Sequence, residues 1–530
     1  MKTNIAGAFC RRTLLKAGAS LGGGIIASGM PLSQAIWAAE GKVLRARANA
    51  DLSKLDPAFV VTDAEVDVMH CIYSKLTRYK SGSEWGWELE AAEKIEQLDS
   101  THIRFRLKKG IKFSGGYGEM TARDVKFSFE RVIKLNSPMK PHWDLLDRVE
   151  LEDDYSGVIV FKTPDAAVWL VPLPHAAGQI VSEHAVTTAV KDGGDFGMKP
   201  PAFSGPYILA DWKPNQYVIL TRNPDWSGPK PGFDEIRILP IPDVKAAERG
   251  YQAGDVDFTS ISIDSLATFM SNPPADSEVE KKPSTGYVWI GINMDHPKLQ
   301  DISVRKAIQW AINVPQILSA AYAGQAVLAT GTVPPGVVGH REKALIPPEG
   351  DLAKAKEFLE KAGVKDLTLT IDCLNDSTSS TIAQTAQAQL SQIGISLEIK
   401  SQDTGSFWTL GMESEGDRWK DVQLFVMNFT GLPDPSEYVT WFTQAQVGVW
   451  NWQRFRSERY DELNVRGLSI NDPNERATVY QEMQDLMEES GAFRFLTHGA
   501  SPIVYRTTKV QAAMRPDGNP LYLEFQPVSG

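Results

Sequence analysis

The chain has 530 residues, more than a single hydrophobic core organises, so three or four compact units are expected. Apolar residues make up 42%, charged residues 23% and aromatic residues 9%, which excludes disordered and collagen-like architectures. The 55 basic and 66 acidic side chains give a net charge of −11, and no long run of Lys or Arg offers a footprint for nucleic acid or anionic lipid.

Cys10-Arg11-Arg12-Thr13-Leu14-Leu15-Lys16 precedes a weakly apolar, Gly- and Ala-rich stretch from Ala17 to Met30. That stretch is 14 residues long, short of the ~20 that span a bilayer. Paired arginines before a diluted apolar segment resemble a bacterial twin-arginine export signal. The resemblance implies that residues 1–39 are a signal peptide, that the mature chain starts between 36 and 40, and that the product is periplasmic. Loss of Lys2, Arg11, Arg12 and Lys16, with no acid before Glu40, takes the net charge from −11 to −15. Cys10 leaves with the signal, and Cys71 and Cys373 are too few and too far apart to form a disulfide framework. No second apolar run approaches membrane length.

Val43-Leu44-Arg45-Ala46-Arg47-Ala48 alternates like a half-buried strand, Leu55-Asp56-Pro57 is a turn, and a helix is expected from Ala64 to Leu76. Ile103 to Leu107 alternates again and leads into a glycine turn at Gly110 to Gly116. Thr121 then caps a helix through Val132, with Asp124 in the first turn. Downstream come Ser204-Gly205-Pro206-Tyr207, Arg222-Asn223-Pro224-Asp225-Trp226, Ala253-Gly254-Asp255-Val256-Asp257, Gly291-Ile292-Asn293-Met294 and a helix from Asp351 to Ala362. Val304, Ile308 and Ile312 form a one-sided apolar stripe, which is core packing. A Pro- and Gly-rich interval from Thr332 to Gly350 is a long connection.

Taken in order, Leu55-Asp56-Pro57, Phe105-Arg106-Leu107-Lys108, Gly110 to Gly115, Thr121-Ala122-Arg123-Asp124-Val125 and the downstream motifs resemble the dipeptide/oligopeptide class (family 5) of periplasmic solute-binding proteins of ABC importers. The resemblance runs from about 43 to 525. It implies an α/β, two-lobed periplasmic binding protein of the type II, cluster C-like kind, with an extra β-rich subdomain in lobe one. Lobe one is then 40–286 plus a C-terminal return at 501–530, and lobe two is 287–500. Crossings are expected near Thr285 to Trp289 and near Leu496 to Tyr505.

Cleft positions implied by the same resemblance are Thr62, Asp63, Trp143, Tyr287, Trp408, Asn428, Phe429 and Thr430. Trp408 and Phe429 stand as apolar walls and Asn428 as a directional hydrogen-bonding group. Trp408, Trp419, Trp441, Trp450 and Trp452 are five of the chain's 14 tryptophans. The run Val449-Trp450-Asn451-Trp452-Gln453-Arg454 alternates ring and amide, so Trp441 and Trp452 belong either to a ligand rim or to lobe packing. Peptide receptors place a carboxylate four positions before a motif proline, here Pro435, to pair with the ligand's amino terminus. Gly431 occupies that position. Asp434 is the nearby acid, a substitute for it or a turn former, and the corresponding arginine for a ligand carboxylate falls on Ser380 or Thr381. A different small polar solute is therefore expected: a peptide-like compound, a modified peptide or an opine-like conjugate.

Enzyme motifs fail one by one. Gly18-Ala19-Ser20-Leu21-Gly22 has the nucleophile-elbow pattern but lies inside the export signal. No phosphate-cradling glycine loop ends in Lys-Ser or Lys-Thr, and the eight histidines include no pair at helical metal-ligand spacing. No cofactor, no metal and no catalytic residue is expected. The reading is a monomeric receptor that captures a small molecule between its lobes and hands it to an inner-membrane permease and ATPase complex. The alternatives are a secreted hydrolase acting on peptide or glycan and a surface interaction protein.

Overall fold

Alternation in Val43–Ala48 puts Leu44, Ala46 and Ala48 in a core and leaves Arg45 and Arg47 at its edge. In the computed structural model, which describes residues 42–60 and 62–528, this strand sits fourth in a seven-stranded sheet. The order is Ser277–Lys282, Ser501–Arg506, Phe258–Ser260, Val43–Ala48, Glu235–Pro240, Tyr217–Arg222 and Tyr207–Lys213. A six-stranded sheet follows the order Val327–Leu328, Phe493–Gly499, Gly286–Ile292, Leu424–Thr430, Leu367–Leu374 and Ile395–Gln402. A four-stranded antiparallel sheet, Ala92–Asp99, His102–Leu107, Ser156–Phe161 and Leu146–Leu151, packs on the helix Ala122–Lys134. The proposed export signal lies outside the described residues.

The chain passes between the two large sheets in two short places. One is residues 283–285, between strands Ser277–Lys282 and Gly286–Ile292, and the other is Ala500 alone, between Phe493–Gly499 and Ser501–Arg506. Among the described residues, no cluster of buried apolar side chains mixes the two sides. Trp85 is the side chain from the first side that packs, half-buried, against a core of the second. Cys71 and Cys373 are free and buried in separate clusters.

The sequence motifs hold this scaffold together. Asp56 of the Leu-Asp-Pro turn is fully buried and takes a two-pronged ion pair from Arg131, at 2.7 and 2.5 Å, while Arg131 also donates to the Gly193 and Gly194 carbonyls. Gly254 ends the helix Val244–Ala253 with φ 88°, and Asp257 just beyond it clamps Arg45 at 2.7 and 3.0 Å. A Cβ at Gly205 would lie 2.5 Å from the Cys71 carbonyl oxygen, so only glycine lets this turn meet the end of the helix Asp63–Ile72. That helix stops at Ile72 rather than Leu76: Tyr73 is extended, its hydroxyl donates to the Leu55 carbonyl, and Lys75 pairs with Gln179 as an isolated bridge. Thr121 and Asp124 form a capping box for Ala122–Lys134, and Asp351 caps Leu352–Lys361.

Removing one member of the buried Asp56–Arg131 pair leaves the other charge uncompensated. Asp56→Ala is expected to cost about 3–5 kcal/mol of stability, read from the urea unfolding midpoint. A loss below about 1 kcal/mol would show that the pair does not anchor this turn.

Candidate functional site

Both passages lie at one edge of each large sheet, and this edge gathers the candidate side chains. On the second side Gly286 pairs with Thr430, and the Gly431 N–H donates to the Thr285 carbonyl at 3.4 Å. On the first side the edge is formed by the ends of Val43–Ala48 and Phe258–Ser260 and the start of Ser501–Arg506. The helix Asp63–Ile72 begins close by, and a cavity of about 300 Å³ there is lined by Asn49, Asp63, Asp67, Ser501, Asp517 and Tyr522, among others. Burial pushes the Asp67 carboxyl well above its ordinary range; Arg515 opposes the shift, while Asp63 and Asp517 add to it. Arg515 is committed to Asp517 at 3.1 Å and lies over the rings of Tyr79 and Trp85 at 5.4 and 5.9 Å.

The second side presents an aromatic wall centred on Phe429, at the end of strand Leu424–Thr430. Its ring stacks at 6.3 Å on both Trp408 and Phe442 and meets Tyr287, Trp289 and Trp450 edge-on at 5.9, 5.2 and 5.9 Å. Phe429, Trp408 and Trp450 are half-buried, whereas Asn428 and Thr430 are exposed on either side of Phe429. The Tyr287 and Tyr438 rings pack 5.5 Å apart. Both are buried, and among the described residues neither hydroxyl has a hydrogen-bond partner.

Acids from both sides influence one another electrostatically in this region. Asp434 is held by Arg476 at 2.8 and 3.1 Å and caps the Ser436 N–H at 3.0 Å. Glu437 has no such cation: burial, then the Asp434 charge, push its carboxyl up to about 7, with Asp165 adding to the shift. Asp165, from the first side, is pushed up to about 6, by burial and then by Asp434. The short turn that Asp165 opens contacts the helix Glu458–Ser469. Arg476, the cation that opposes the Asp165 shift, is already gripped by Asp434.

The residues expected from sequence divide into three groups. Tyr287, Trp408, Asn428, Phe429, Thr430 and Gly431 come together at the passage edge, and Asp63 lines the cavity opposite. Thr62 stands at the same helix start but is engaged as its N-cap, accepting from the Glu65 N–H. Trp441 is half-buried, its indole donating to the Glu437 carbonyl at 2.8 Å. Three expectations are corrected. Trp143 lies inside the core beneath the four-stranded sheet, stacked on Phe129 at 4.4 Å with its indole donating to the Ala177 carbonyl. Trp452 is buried against Phe407 and Phe425, because residues 449–454 form turns rather than a strand with rings on one side. Asp434 is 1% exposed, spent on Arg476 and the N-cap of the turn that follows, so of its two readings the turn former holds and the substitute carboxylate does not. Gly431 has a steric reason: a Cβ there would lie 2.9 Å from Tyr438 Cζ and 3.0 Å from Glu437 Cβ.

Sequence reasoning missed Glu437, Tyr438, Asp165, Asp67 and Arg515. Only Pro435-Ser436-Glu437-Tyr438, directly after the motif proline, carried a local signal. The others reach the site through long-range packing. Among the described residues, no group of three metal-ligating side chains is placed to hold an ion.

The raised Glu437 carboxyl has a consequence with a definite sign. The folded protein binds this proton more tightly than the unfolded chain, so stability is fully present below about pH 4.5 and falls as pH rises through about 7. Glu437→Gln is expected to raise stability by roughly 1–2 kcal/mol at pH 8, a gain that fades toward pH 5, in thermal melts of the ligand-free protein. A loss at pH 8 would contradict the absence of a cation beside this acid.

A model of the bacterial extracellular solute-binding proteins, family 5 (Middle), matches residues 87–448. The glutathione-binding protein GsiB of Salmonella paratyphi A is 28% identical over 402 residues, covering 73% of this chain and 76% of that protein. The oligopeptide-binding protein AppA of Bacillus subtilis is 27% identical over 459 residues, 82% of each. The periplasmic binding protein DppA from Helicobacter pylori, solved with the peptide STSA, superposes with a TM-score of 0.72 at 23% identity, covering 92% of this chain and 98% of that one. The fold is the two-lobed α/β architecture of periplasmic binding proteins, and the chain belongs to the bacterial extracellular solute-binding proteins of family 5.

Proposed function

We propose that the protein is an extracytoplasmic receptor of an ABC importer, which encloses a small, peptide-like polar solute between its lobes and releases it unchanged to a membrane permease and its ATPase. Lobe one comprises 42–282 and 501–528, lobe two 286–499, and the passages at 283–285 and Ala500 are the hinge. The observation that carries this reading is the passage edge itself, where an aromatic wall from one lobe and carboxylates from both converge.

Enclosure explains the choice of side chains. Phe429, Trp408 and Trp450 bury the apolar parts of a guest without demanding one shape, while Asn428 and Thr430 offer directional hydrogen bonds at the rim. Closing the lobes around the guest removes water from both sides, so each polar contact gains strength in the lower local dielectric. Trp85 is placed to report this motion, because it packs on the second lobe's core and lies near Gly336. Families whose members bind glutathione and oligopeptides give the solute class. Export to the periplasm is the reading of the N-terminal segment, and a monomer suffices because one chain supplies both walls.

Mass spectrometry of small molecules released by denaturing the purified protein should reveal a peptide-like or conjugated amino-acid guest. Adding that guest back at a hundredfold excess over its Kd should stabilise the emptied protein by about 2.7 kcal/mol in a thermal melt. Trp85→Phe should remove the part of the accompanying change in tryptophan fluorescence that does not come from Trp408 and Trp450 on the wall. A protein that arrives empty and does not respond to peptides, glutathione, opines or sugar conjugates would overturn the reading, as would chemical turnover of the added compound.

A further inference from the structure

Of the rings in the aromatic wall, Phe429 stands on a strand, but Trp408 and Trp450 do not. Trp408 ends the five-residue helix Thr404–Trp408, and Trp450 sits in the turns at 449–454. Their rings meet edge-on at 6.4 Å, with planes 70° apart, and both pack against Phe429. A strand is held on both sides by ladder hydrogen bonds. Turns have no such ladder, so other bonds must fix these two rings.

Arg454, four residues after Trp450, is 7% exposed and reaches three segments at once. Its Nη2 donates to Glu413 Oε1 at 2.6 Å and its Nε to Asp295 Oδ2 at 2.6 Å, while its guanidinium lies 3.9 Å from the centre of the Trp419 ring. Glu413 and Trp419 belong to the segment that follows Trp408, whereas Asp295 lies just past the strand Gly286–Ile292. Main-chain bonds repeat the connection: the Glu413 N–H donates to the Gly448 carbonyl at 2.8 Å and the Met294 N–H to the Gln453 carbonyl at 2.9 Å. A Cβ at Gly448 would lie 2.7 Å from Glu413 Cδ, so the two segments touch. Asp295 is held in turn by Arg456, at 2.9 and 3.0 Å, so the anchor is itself fixed.

The Arg454 backbone is an independent sign. Its φ is 56°, in the left-handed region that glycine takes freely and arginine adopts only under constraint. The buried Asn451 amide imposes the turn, donating to the Phe442, Thr443 and Phe455 carbonyls at 3.0, 3.2 and 2.8 Å, and the Arg454 N–H donates to the Asn451 carbonyl at 3.0 Å. Glycine would suit this turn better, so what arginine adds is its side chain. A planar fork that grips two carboxylates while lying on a ring is a geometry that lysine does not offer.

We propose that Arg454 is a positioning residue of the receptor: it locks the Trp408 and Trp450 segments to each other and to the sheet, holds both rings in place against Phe429, and so makes the wall selective for a solute with a bulky apolar side chain. This rests on the receptor reading and deepens it, by naming what sets the shape of the wall. Rings fixed before a guest arrives lose no freedom when it binds. That advantage is felt by a side chain that packs on them and not by a glycine.

The full mature protein, freed of guest by reversible unfolding and labelled with 5-fluorotryptophan, reports the ring positions directly once Trp408→Phe and Trp450→Phe have assigned the two fluorine resonances. In Arg454→Gly, which suits the backbone and strips the side chain, both resonances should move by more than a linewidth while those of Trp143 and Trp310, packed in other cores, stay. Arg454→Lys, which keeps the charge, should move them part of the way, and it decides the matter if the glycine variant does not melt cooperatively. Unmoved Trp408 and Trp450 resonances would overturn the positioning role, as would equal movement of Trp143, the mark of general loosening. Calorimetry then compares Gly-Phe-Gly with Gly-Gly-Gly. The parent should bind the first at least about tenfold more tightly, and Arg454→Gly should bring that ratio below about threefold with the Gly-Gly-Gly affinity within about twofold of the parent's. An unchanged ratio, or silence of both peptides in the parent, would overturn the selectivity, with the resonances still deciding the positioning. The receptor reading is judged apart from this, by the copurified molecule.

Discussion

The structure depends on how little chain joins its two large sheets. Three residues at 283–285 and one at Ala500 carry every covalent connection between them, and the buried apolar clusters stay on their own sides. Each side therefore completes its own interior, as a domain must, and the surface left between them is free to hold water or a guest. Because both passages are at the same ends of the strands, the hinge proposed there would let a small rotation move one wall against the other without disturbing either core. The binding surface is thus a product of topology before it is a product of any side chain.

What lines that surface follows from this arrangement. Strand ends at the passage edge project residues that do not have to fill a core, and Asn428, Phe429 and Thr430 are there for that reason. Several buried charges are matched in pairs: Asp56 with Arg131, Asp257 with Arg45, Asp434 with Arg476. Glu437 and Asp165 have no such cation among the described residues, and the buried Asp372 takes its hydrogen bond from the Gln402 amide. Buried tyrosine hydroxyls without a partner are costly inside a protein, and the rings of Tyr287 and Tyr438, whose hydroxyls have none among the described residues, pack together beside the wall.

The motifs legible in the chain turned out to describe the scaffold. Leu55-Asp56-Pro57 is readable because a buried ion pair needs its aspartate in a fixed turn, and Ser204-Gly205-Pro206 because a backbone approach admits no side chain. Helix limits were legible where caps exist, at Thr121 and Asp351, and not at Leu76, where the chain leaves a helix to pair with Gln179, more than a hundred residues away. Single tryptophans were poorly legible. Trp408 and Trp452 are alike in composition and neighbourhood, but one stands on the wall and the other under it, since turns rather than a strand set the direction of residues 449–454.

The sequence by itself determined the family, the scaffold turns and helix caps at Asp56, Thr121 and Asp351, and the absence of an acid at position 431, because each is carried by neighbours in the chain. Only the tertiary structure decided that Asp434 is consumed by Arg476, that Trp143 is core, and that Asp165, from the other side, adds to the charge felt by Glu437. The reason is that charge balance in a buried cleft is a sum over groups hundreds of residues apart. No local pattern records which carboxylate has found its cation and which has not.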